Sequence, residues 1–281
     1  MRRFWPSSLS WKLLLAILPL ILLGVSAIVW LQYNMARKEM LLAINKEMEL
    51  LTQRTAGNID DLLQQRYAEL FTLAETPLIT DYYHNVEFQL LNEAATYRKE
   101  LEKYLLNFSK RSRAYAEILY LNESGLEICR IRGGVTVKRS PVPSQEPYFL
   151  EIRSLPVGQW WTSPVQEMPG IGPILFYAKP VHNELKKFKG VLVLAYDLEQ
   201  LISMLNNIKI GKTGRARIET DRGYVLKARA RTPTQGQTLR TERHLNQQPW
   251  KVVAEAPLED FLGPLKHVRN TVNSRGKCNG D

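Results

Sequence analysis

Hydrophobic and polar residues follow three successive patterns along the chain. Residues 13–31 form an uninterrupted apolar run of nineteen positions without a charge. As an α-helix this run would be about 28 Å long, close to the hydrocarbon thickness of a bilayer. From residue 32 to about residue 76, apolar residues recur at steps of three and four, which predicts a long amphipathic helix ended by Pro77. A second helical pattern covers residues 86–110, and beyond Arg113 the apolar residues alternate as in β-strands.

The alternating part predicts a larger α+β unit followed by a smaller one. A hairpin is expected around the break at residues 123–125, and the boundary between the units near residues 210–214. The other predicted strands are 159–164, 174–180, 190–196, 215–220, 224–228 and 250–255, and the predicted short helices are 197–205 and 258–268.

The charge-free run is best interpreted as an uncleaved membrane anchor. Arg2 and Arg3 precede it and Trp11 and Trp30 lie at its edges, which predicts a cytoplasmic amino terminus and the rest of the chain outside. A cleaved signal peptide is the first alternative, because residues 25–27 are small or β-branched, but the apolar run continues beyond them. A buried core helix is the second alternative, and the absence of a polar face argues against it.

Charge is distributed unevenly along the 281 residues. The formal net charge is +10, and the last 81 residues carry an excess of eight basic residues. Such a surface suits nucleic acid or anionic lipid. Outside the cytoplasm it would meet lipid head groups, so the bilayer is the predicted partner and nucleic acid is not.

Side chains that catalyse reactions or bind metals are scattered. The two cysteines, Cys129 and Cys278, are far apart, and the four histidines occur singly. No zinc-protease, serine-hydrolase or calcium-loop motif is present. No catalytic residue, metal site or cofactor is therefore predicted.

Two local motifs have structural interpretations. Gly211-Lys212-Thr213 looks like the end of a phosphate-binding loop, but the required earlier glycine is replaced by Asn206. It is interpreted as a turn between modules. The adjacent carboxylates at 60–61 and 259–260 would point about 100° apart on a helix, so they are expected to be solvated.

Three stretches, at residues 146–165, 172–201 and 208–226, resemble the double Cache sensor domain. This domain is the extracytoplasmic part of bacterial chemoreceptors, sensor histidine kinases and diguanylate cyclases. The stretches are similar to its pocket-forming helix and following strand, its paired strands with an aspartate-capped helix, and the passage into its second module. The resemblance covers about residues 10–270.

The resemblance implies an α+β fold with two tandem PAS-like antiparallel sheets along a long helix. The implied segments are a basic cytoplasmic leader (1–12), a transmembrane helix (13–31), a helical stalk with a second helix (32–115), a membrane-distal module (116–208), a membrane-proximal module (209–268) and an irregular tail (269–281).

The resemblance also implies a small-molecule pocket in the distal module. Trp160 and Trp161 would point to opposite faces of a strand, so at most one can line it. In family members that bind amino acids, an aspartate at the position of Asp197 pairs with the ligand's amino group; here Asp197 could equally cap the following helix. The candidate residues are Tyr120, Arg130, Arg132, Glu146, Tyr148, Trp160, Trp161, Tyr177 and Asp197.

The departure from the family's motif favours an amine or other cationic ligand, or no small ligand at all, over an amino acid. The family's amino-acid binders carry an Arg-x-Trp-Tyr motif whose arginine takes the ligand carboxylate, and the aligned residues in this chain are Glu146-Pro147-Tyr148-Phe149. A glutamate would repel a carboxylate in a partly dry pocket.

The expected function is ligand sensing by a single-pass protein of the bacterial inner membrane, with most of the chain in the periplasm and a homodimer formed through the juxtamembrane helix. Two other hypotheses remain: the sensory part of a histidine kinase or diguanylate cyclase whose output domain is missing, and a structural partner of another membrane protein. After residue 268 the sequence shows neither a second apolar span nor a catalytic segment, so the chain is expected to be truncated and not itself an enzyme.

Overall fold

The structure is a computed structural model that describes residues 9–139, 147–227 and 237–261. By packing, the chain divides into a first unit that includes the residues up to Leu51 and a second unit, Thr52–Gly263. The first unit is helical where it is described. The second contains two antiparallel sheets and the helices packed on them.

One helix, α1 (Leu9–Ala74), contains both the predicted anchor and the predicted amphipathic helix. Pro19 lies inside it without ending it. Among the described residues, one helix is long and apolar enough to cross a membrane, with a window of mean hydropathy 1.7 that is wholly exposed. The long amino-terminal apolar helix predicted from the sequence is therefore present.

Pro77 begins a helix instead of ending one. α1 stops at Ala74, and Pro77 is the first residue of α2 (Pro77–Glu87), where its missing N–H costs no intrahelical bond. The predicted helix 86–110 is wrong at its start, because Gln89 has a left-handed backbone (φ 59°) that separates α2 from α3 (Leu91–Ser112).

The larger sheet has seven strands in the order β3-β2-β1-β7-β6-β4, with β5 also paired to β6. The helix α4 lies between β3 and β4 in the chain. The predicted strand 159–164 is reduced to the two residues of β4. The bounds are β1 (Tyr115–Asn122), β2 (Glu127–Arg132), β3 (Val135–Thr136), α4 (Pro147–Arg153), β4 (Trp161–Thr162), β5 (Gln166–Met168), β6 (Gly172–His182) and β7 (Phe188–Asp197).

The two faces of this sheet carry different layers. Side chains alternate between them along each strand. The helix face packs against α1, α2 and α3 in the main hydrophobic core, which includes Leu63, Leu70, Leu101, Leu105, Ile118, Leu175, Leu192 and Leu194. The α4 face packs against α4 through Leu119, Leu121, Phe149, Ile152, Ala178, Val191 and Val193.

The smaller sheet follows the helix α5 and has the order β10-β11-β8-β9. β10 was not predicted because its residues are mostly exposed and polar, so no apolar alternation marks it. The predicted last helix is present at residues 259–261, and its remainder lies outside the described residues. The bounds are α5 (Glu199–Asn207), β8 (Arg215–Glu219), β9 (Val225–Lys227), β10 (Thr238–His244) and β11 (Lys251–Pro257).

Asp60 attaches the smaller module to α1. It is buried, and its carboxylate accepts hydrogen bonds from the backbone and side-chain nitrogens of Asn246 at 2.8–3.0 Å and from the amide of Gln247 at 3.0 Å. The expectation that this carboxylate is solvated is wrong for Asp60, because the β10–β11 loop supplies donors that no local pattern reveals. Asp61 is exposed, as expected.

Candidate functional site

Three aromatic side chains stack on the α4 face. Tyr148 of α4 lies 5.9 Å from Trp161 of β4 and 6.5 Å from Phe176 of β6, measured between ring centres, with interplanar angles of 28° and 14°. All three rings are half-buried. They form an aromatic surface that an apolar or cationic ligand group can contact. We call Tyr148, Trp161 and Phe176 the aromatic trio.

Two buried side chains of α4 hold this helix against the sheet. Phe149 and Ile152 are buried against the sheet, with Ile152 fully inaccessible. This anchors the helix by its apolar side, which leaves Tyr148 beside Trp161. Because the buried Phe149 directly follows Tyr148 in α4, the position of Tyr148 depends on how α4 packs against the sheet.

A charged cluster lies on the same face, at β1 and β2. The buried carboxylate of Glu117 accepts from Arg132 Nε at 2.6 Å and lies 3.2 Å from Arg130 Nε. Arg130 also pairs with Glu127 at 2.8 Å. The two guanidinium groups are thus neutralised by two carboxylates within the protein. Arg132 remains 47% exposed.

Asp197 ends β7 on the α4 face, two residues beyond Ala195, which pairs with Phe176. Its Oδ1 accepts a hydrogen bond from the amide of Glu199 at 2.9 Å, at the start of α5. The helix α5 begins at Glu199 with Leu198 as its N-cap residue, so Asp197 binds the first helical amide from one position before the cap, and the prediction of Asp197 as the cap is wrong by one residue. Asp197 is only half-buried.

Three predicted site residues lie on the helix face instead. Tyr120 is fully buried and its hydroxyl donates to the Lys189 carbonyl at 3.4 Å. Tyr177 is also buried, 5.8 Å from the Trp160 ring. Burial raises the pKa of both tyrosines well above its ordinary value, so their hydroxyls stay neutral.

The structure thus separates the predicted residues into two groups. Tyr148, Trp161, Asp197, Arg130 and Arg132 share the α4 face, while Tyr120, Trp160 and Tyr177 pack on the helix face. Glu146 lies outside the described residues. Phe176 and Glu117 were not predicted as members of this face. Alternation from Tyr177 would have indicated Phe176, and the charge within the apolar run of β1 would have indicated Glu117.

A buried polar group connects the helix face to α1. Tyr115 Oη donates to Glu69 Oε2 at 2.5 Å, and Arg66 Nη1 donates to the same oxygen at 2.8 Å. The Arg66 guanidinium lies 5.5 Å from the centre of the Tyr196 ring. Burial, and then the hydrogen bond to Glu69, raises the pKa of Tyr115. This group attaches the sheet to the long helix on the face opposite the aromatic trio.

Among the residues that the structure describes, no group of three or more His, Cys, Asp or Glu side chains could hold a metal ion. The one described cysteine, Cys129, is buried as a free thiol.

The fold, with its two antiparallel sheets, is that of a sensory domain of the Cache type, as comparison with known families indicates. The profile of the Cache domain family matches residues 36–265, so the chain belongs to the Cache domain family. A comparison with curated protein sequences finds no match.

Solved structures of sensory domains share the fold. The extracellular domain of a protein assigned as a histidine kinase aligns with a TM-score of 0.64 at 16% identity, over 79% of this chain and 96% of its own. A domain of a sensory box/GGDEF family protein from Vibrio parahaemolyticus aligns with a TM-score of 0.60 at 16% identity, over 79% of this chain and 99% of its own. The sensory domain of the Campylobacter jejuni chemoreceptor Tlp3, with isoleucine bound, aligns with a TM-score of 0.60 at 10% identity, over 80% of this chain and 96% of its own.

Proposed function

We propose that this chain is a membrane-anchored extracytoplasmic sensor that binds a small molecule on the α4 face of its larger module. The observation that carries the proposal is the aromatic trio, which shares with Asp197 a face of the sheet that is covered by one short helix. The Tlp3 sensory domain, which has this fold, binds isoleucine.

The charges of this face favour an amine or other cation. Glu117 and Glu127 already neutralise Arg130 and Arg132, so on the sheet side of this face Asp197 is a carboxylate outside those ion pairs. A cation over an aromatic ring gains about 0.5–2 kcal/mol, depending on how far it is desolvated. Glu146, adjoining α4 in sequence, would strengthen this preference.

The ligand contacts that we propose are Tyr148, Trp161, Phe176 and Asp197, with Arg132 at the edge of the surface. Tyr120, Trp160 and Tyr177 support the sheet from behind. This assignment can be tested. A substitution on the helix face should lower the free energy of unfolding, and a substitution on the α4 face should weaken ligand binding.

The apolar part of α1 would anchor the protein in the inner membrane, with the modules in the periplasm and two copies pairing through the juxtamembrane helix. Alkaline phosphatase fused after Asp281 should then be active, and a cytoplasmic reporter at the same point inactive. The opposite result would refute this topology. A cysteine introduced at an exposed juxtamembrane position, as in Leu42→Cys, should form a disulfide-linked dimer on oxidation.

The second candidate is the sensory part of a histidine kinase or diguanylate cyclase, and the fold shared with such proteins supports it. In either case these 281 residues would have no catalytic activity of their own. Reproducible kinase, cyclase or nucleotide-hydrolase turnover by the pure chain, lost on changing one named residue, would contradict this.

The ligand proposal is tested with the full chain in lipid nanodiscs. Thermal-shift screening against matched amines, amino acids and carboxylic acids should find amines that raise the melting temperature, because a ligand of the native state stabilises it. Asp197→Asn keeps a side-chain oxygen that can accept from the Glu199 amide while removing the charge, so it should abolish the shift without unfolding the protein. Stabilisation by carboxylic acids over amines would refute the charge argument.

A further inference from the structure

Two aspartates hold the segment that joins the two sheet modules, one at each end. At its start, Asp197 Oδ1 accepts from the amide of Glu199 at 2.9 Å. At its end, Asp260 Oδ2 accepts from the amides of Lys212 at 2.9 Å and Thr213 at 2.6 Å, and from the Thr213 hydroxyl at 3.0 Å. The helix α5 lies between these two contacts.

The loop that binds Asp260 is shaped for a carboxylate. Gly211 has φ +57°, and a Cβ there would lie 2.9 Å from the Cβ of Asp260. A Cβ on Gly214 would lie 2.3 Å from the Ile210 carbonyl oxygen. The two glycines therefore permit successive amides to converge on one anion, as in a backbone nest. The motif that looked like a phosphate loop binds the protein's own carboxylate, and Asp260 is not the solvated group expected from the sequence.

Close packing joins α5 to the smaller sheet. Leu201 and Leu205 of α5 are buried in the same core as Ala216 and Ile218 of β8 and Leu226 of β9. Packed interiors transmit a displacement instead of absorbing it. A shift of the α5 amino terminus must therefore be felt in the loop after α5 and in β8.

We propose that α5 is a coupling helix between the α4 face and residues 259–261, which follow β11. Asp197 holds its first turn, and the Asp260 contact connects its far end to residues 259–261. A ligand that engages Asp197 would weaken the bond to Glu199 and shift α5. Only this ligand step rests on the proposed function; the coupling from Asp197 to Asp260 is a property of the chain alone.

A second contact between the modules supplies the matched control. Tyr224, before β9, donates its hydroxyl hydrogen bond to Glu167 of β5. Tyr224→Phe removes this bond without touching α5. If the modules communicate generally and not through α5, Tyr224→Phe and Asp197→Ala should have equal effects.

Hydrogen exchange at single-residue resolution tests the coupling in the full chain in nanodiscs, without ligand. Asp197→Ala should accelerate exchange of the Lys212 and Thr213 amides about fivefold, the factor equivalent to losing one hydrogen bond worth about 1 kcal/mol. Asp197→Asn, which keeps the acceptor, and Tyr224→Phe should leave these amides within about twofold of wild type. Acceleration confined to the first turn of α5, or an equal effect of Tyr224→Phe, would overturn the proposal.

The reciprocal variant keeps the test decisive if Asp197→Ala fails to fold. Because coupling acts in both directions, Asp260→Ala should accelerate exchange at the Glu199 amide as well as at Lys212 and Thr213. An effect limited to residues 211–214 would overturn the proposal. Since no ligand is added, a failed ligand screen leaves this result unaffected, and a failed exchange test leaves the ligand proposal standing.

Discussion

Trp160 and Trp161 are neighbours in the chain and lie on opposite faces of the larger sheet. Trp160 packs 4.7 Å from Tyr67 of α1, whereas Trp161 lies 5.9 Å from Tyr148 of α4, between ring centres. One ring thus belongs to the core beneath the sheet and the other to the candidate binding surface.

The pair predicts opposite effects of two adjacent substitutions. Trp160→Ala should destabilise the protein by about 2–4 kcal/mol, because it leaves a cavity between α1 and the sheet. Trp161→Ala should destabilise the protein by only about 1 kcal/mol, because its ring, half-buried like that of Trp160, packs on the smaller α4 layer and not on the main core, but it should abolish the amine-induced thermal shift. Urea unfolding and the thermal-shift assay measure the two effects. Equal destabilisation by both variants would contradict the assignment of the faces.

The stability of the protein should depend strongly on the carboxylate of Asp60. Asp60→Ala removes the acceptor of two backbone amides and a side-chain amide, so the free energy of unfolding should fall by about 2–4 kcal/mol. The exposed neighbour supplies the control, because Asp61→Ala should change it by less than about 0.5 kcal/mol. Urea unfolding checks both, and indistinguishable variants would show that the β10–β11 loop does not need α1.

Acid should weaken the smaller module. The hydrogen bond from Arg217 lowers the pKa of Glu255, and likewise that of Glu219, below the ordinary value of 4.5. A lowered folded-state pKa stabilises the protein above the unfolded-state pKa, and this stabilisation is lost as pH falls through the folded-state value.

The melting temperature should therefore fall between about pH 5 and pH 3, and less steeply in Glu255→Gln. The control Glu184→Gln, in an exposed turn, should follow the wild-type profile. A Glu255→Gln profile identical to wild type would contradict a contribution from this ion pair.

The buried thiol of Cys129 should be unreactive in the folded protein. Burial, and then the nearby Glu102 carboxylate, raises its pKa to about 12, so little thiolate exists at neutral pH. In a Cys278→Ser background, its reaction with a disulfide reagent at pH 8 should be about a hundredfold slower, or more, than in urea. Comparable rates in the two conditions would mean that β2 and α3 open readily.

Strong periodicity made much of the fold predictable. The β1–β2 hairpin, β6, β7 and α5 follow from alternation and from a clear change of period. β10 escaped because both of its faces are largely polar, and α2 because proline suits the first turn of a helix as well as its end.

The candidate site was less predictable, because alternation separates neighbouring residues but does not say which face receives a ligand. Alternation predicted that Trp160 and Trp161 point to opposite faces of the sheet. Only the packing of α4 beside Trp161 indicates which of the two lies on the candidate binding surface. Contacts distant in sequence were beyond local patterns altogether. Asp60 and Asp260 looked like solvated carboxylates, and each binds backbone amides of a distant loop.

The most direct test of the binding surface is the hydrogen-exchange footprint of the best amine from the screen, on the full chain in nanodiscs. The account predicts protection in α4 and in the segment from β4 to β5, absent in Trp161→Ala. Protection confined to α1, α2 and α3, with no change at α4, would contradict a ligand site on the α4 face.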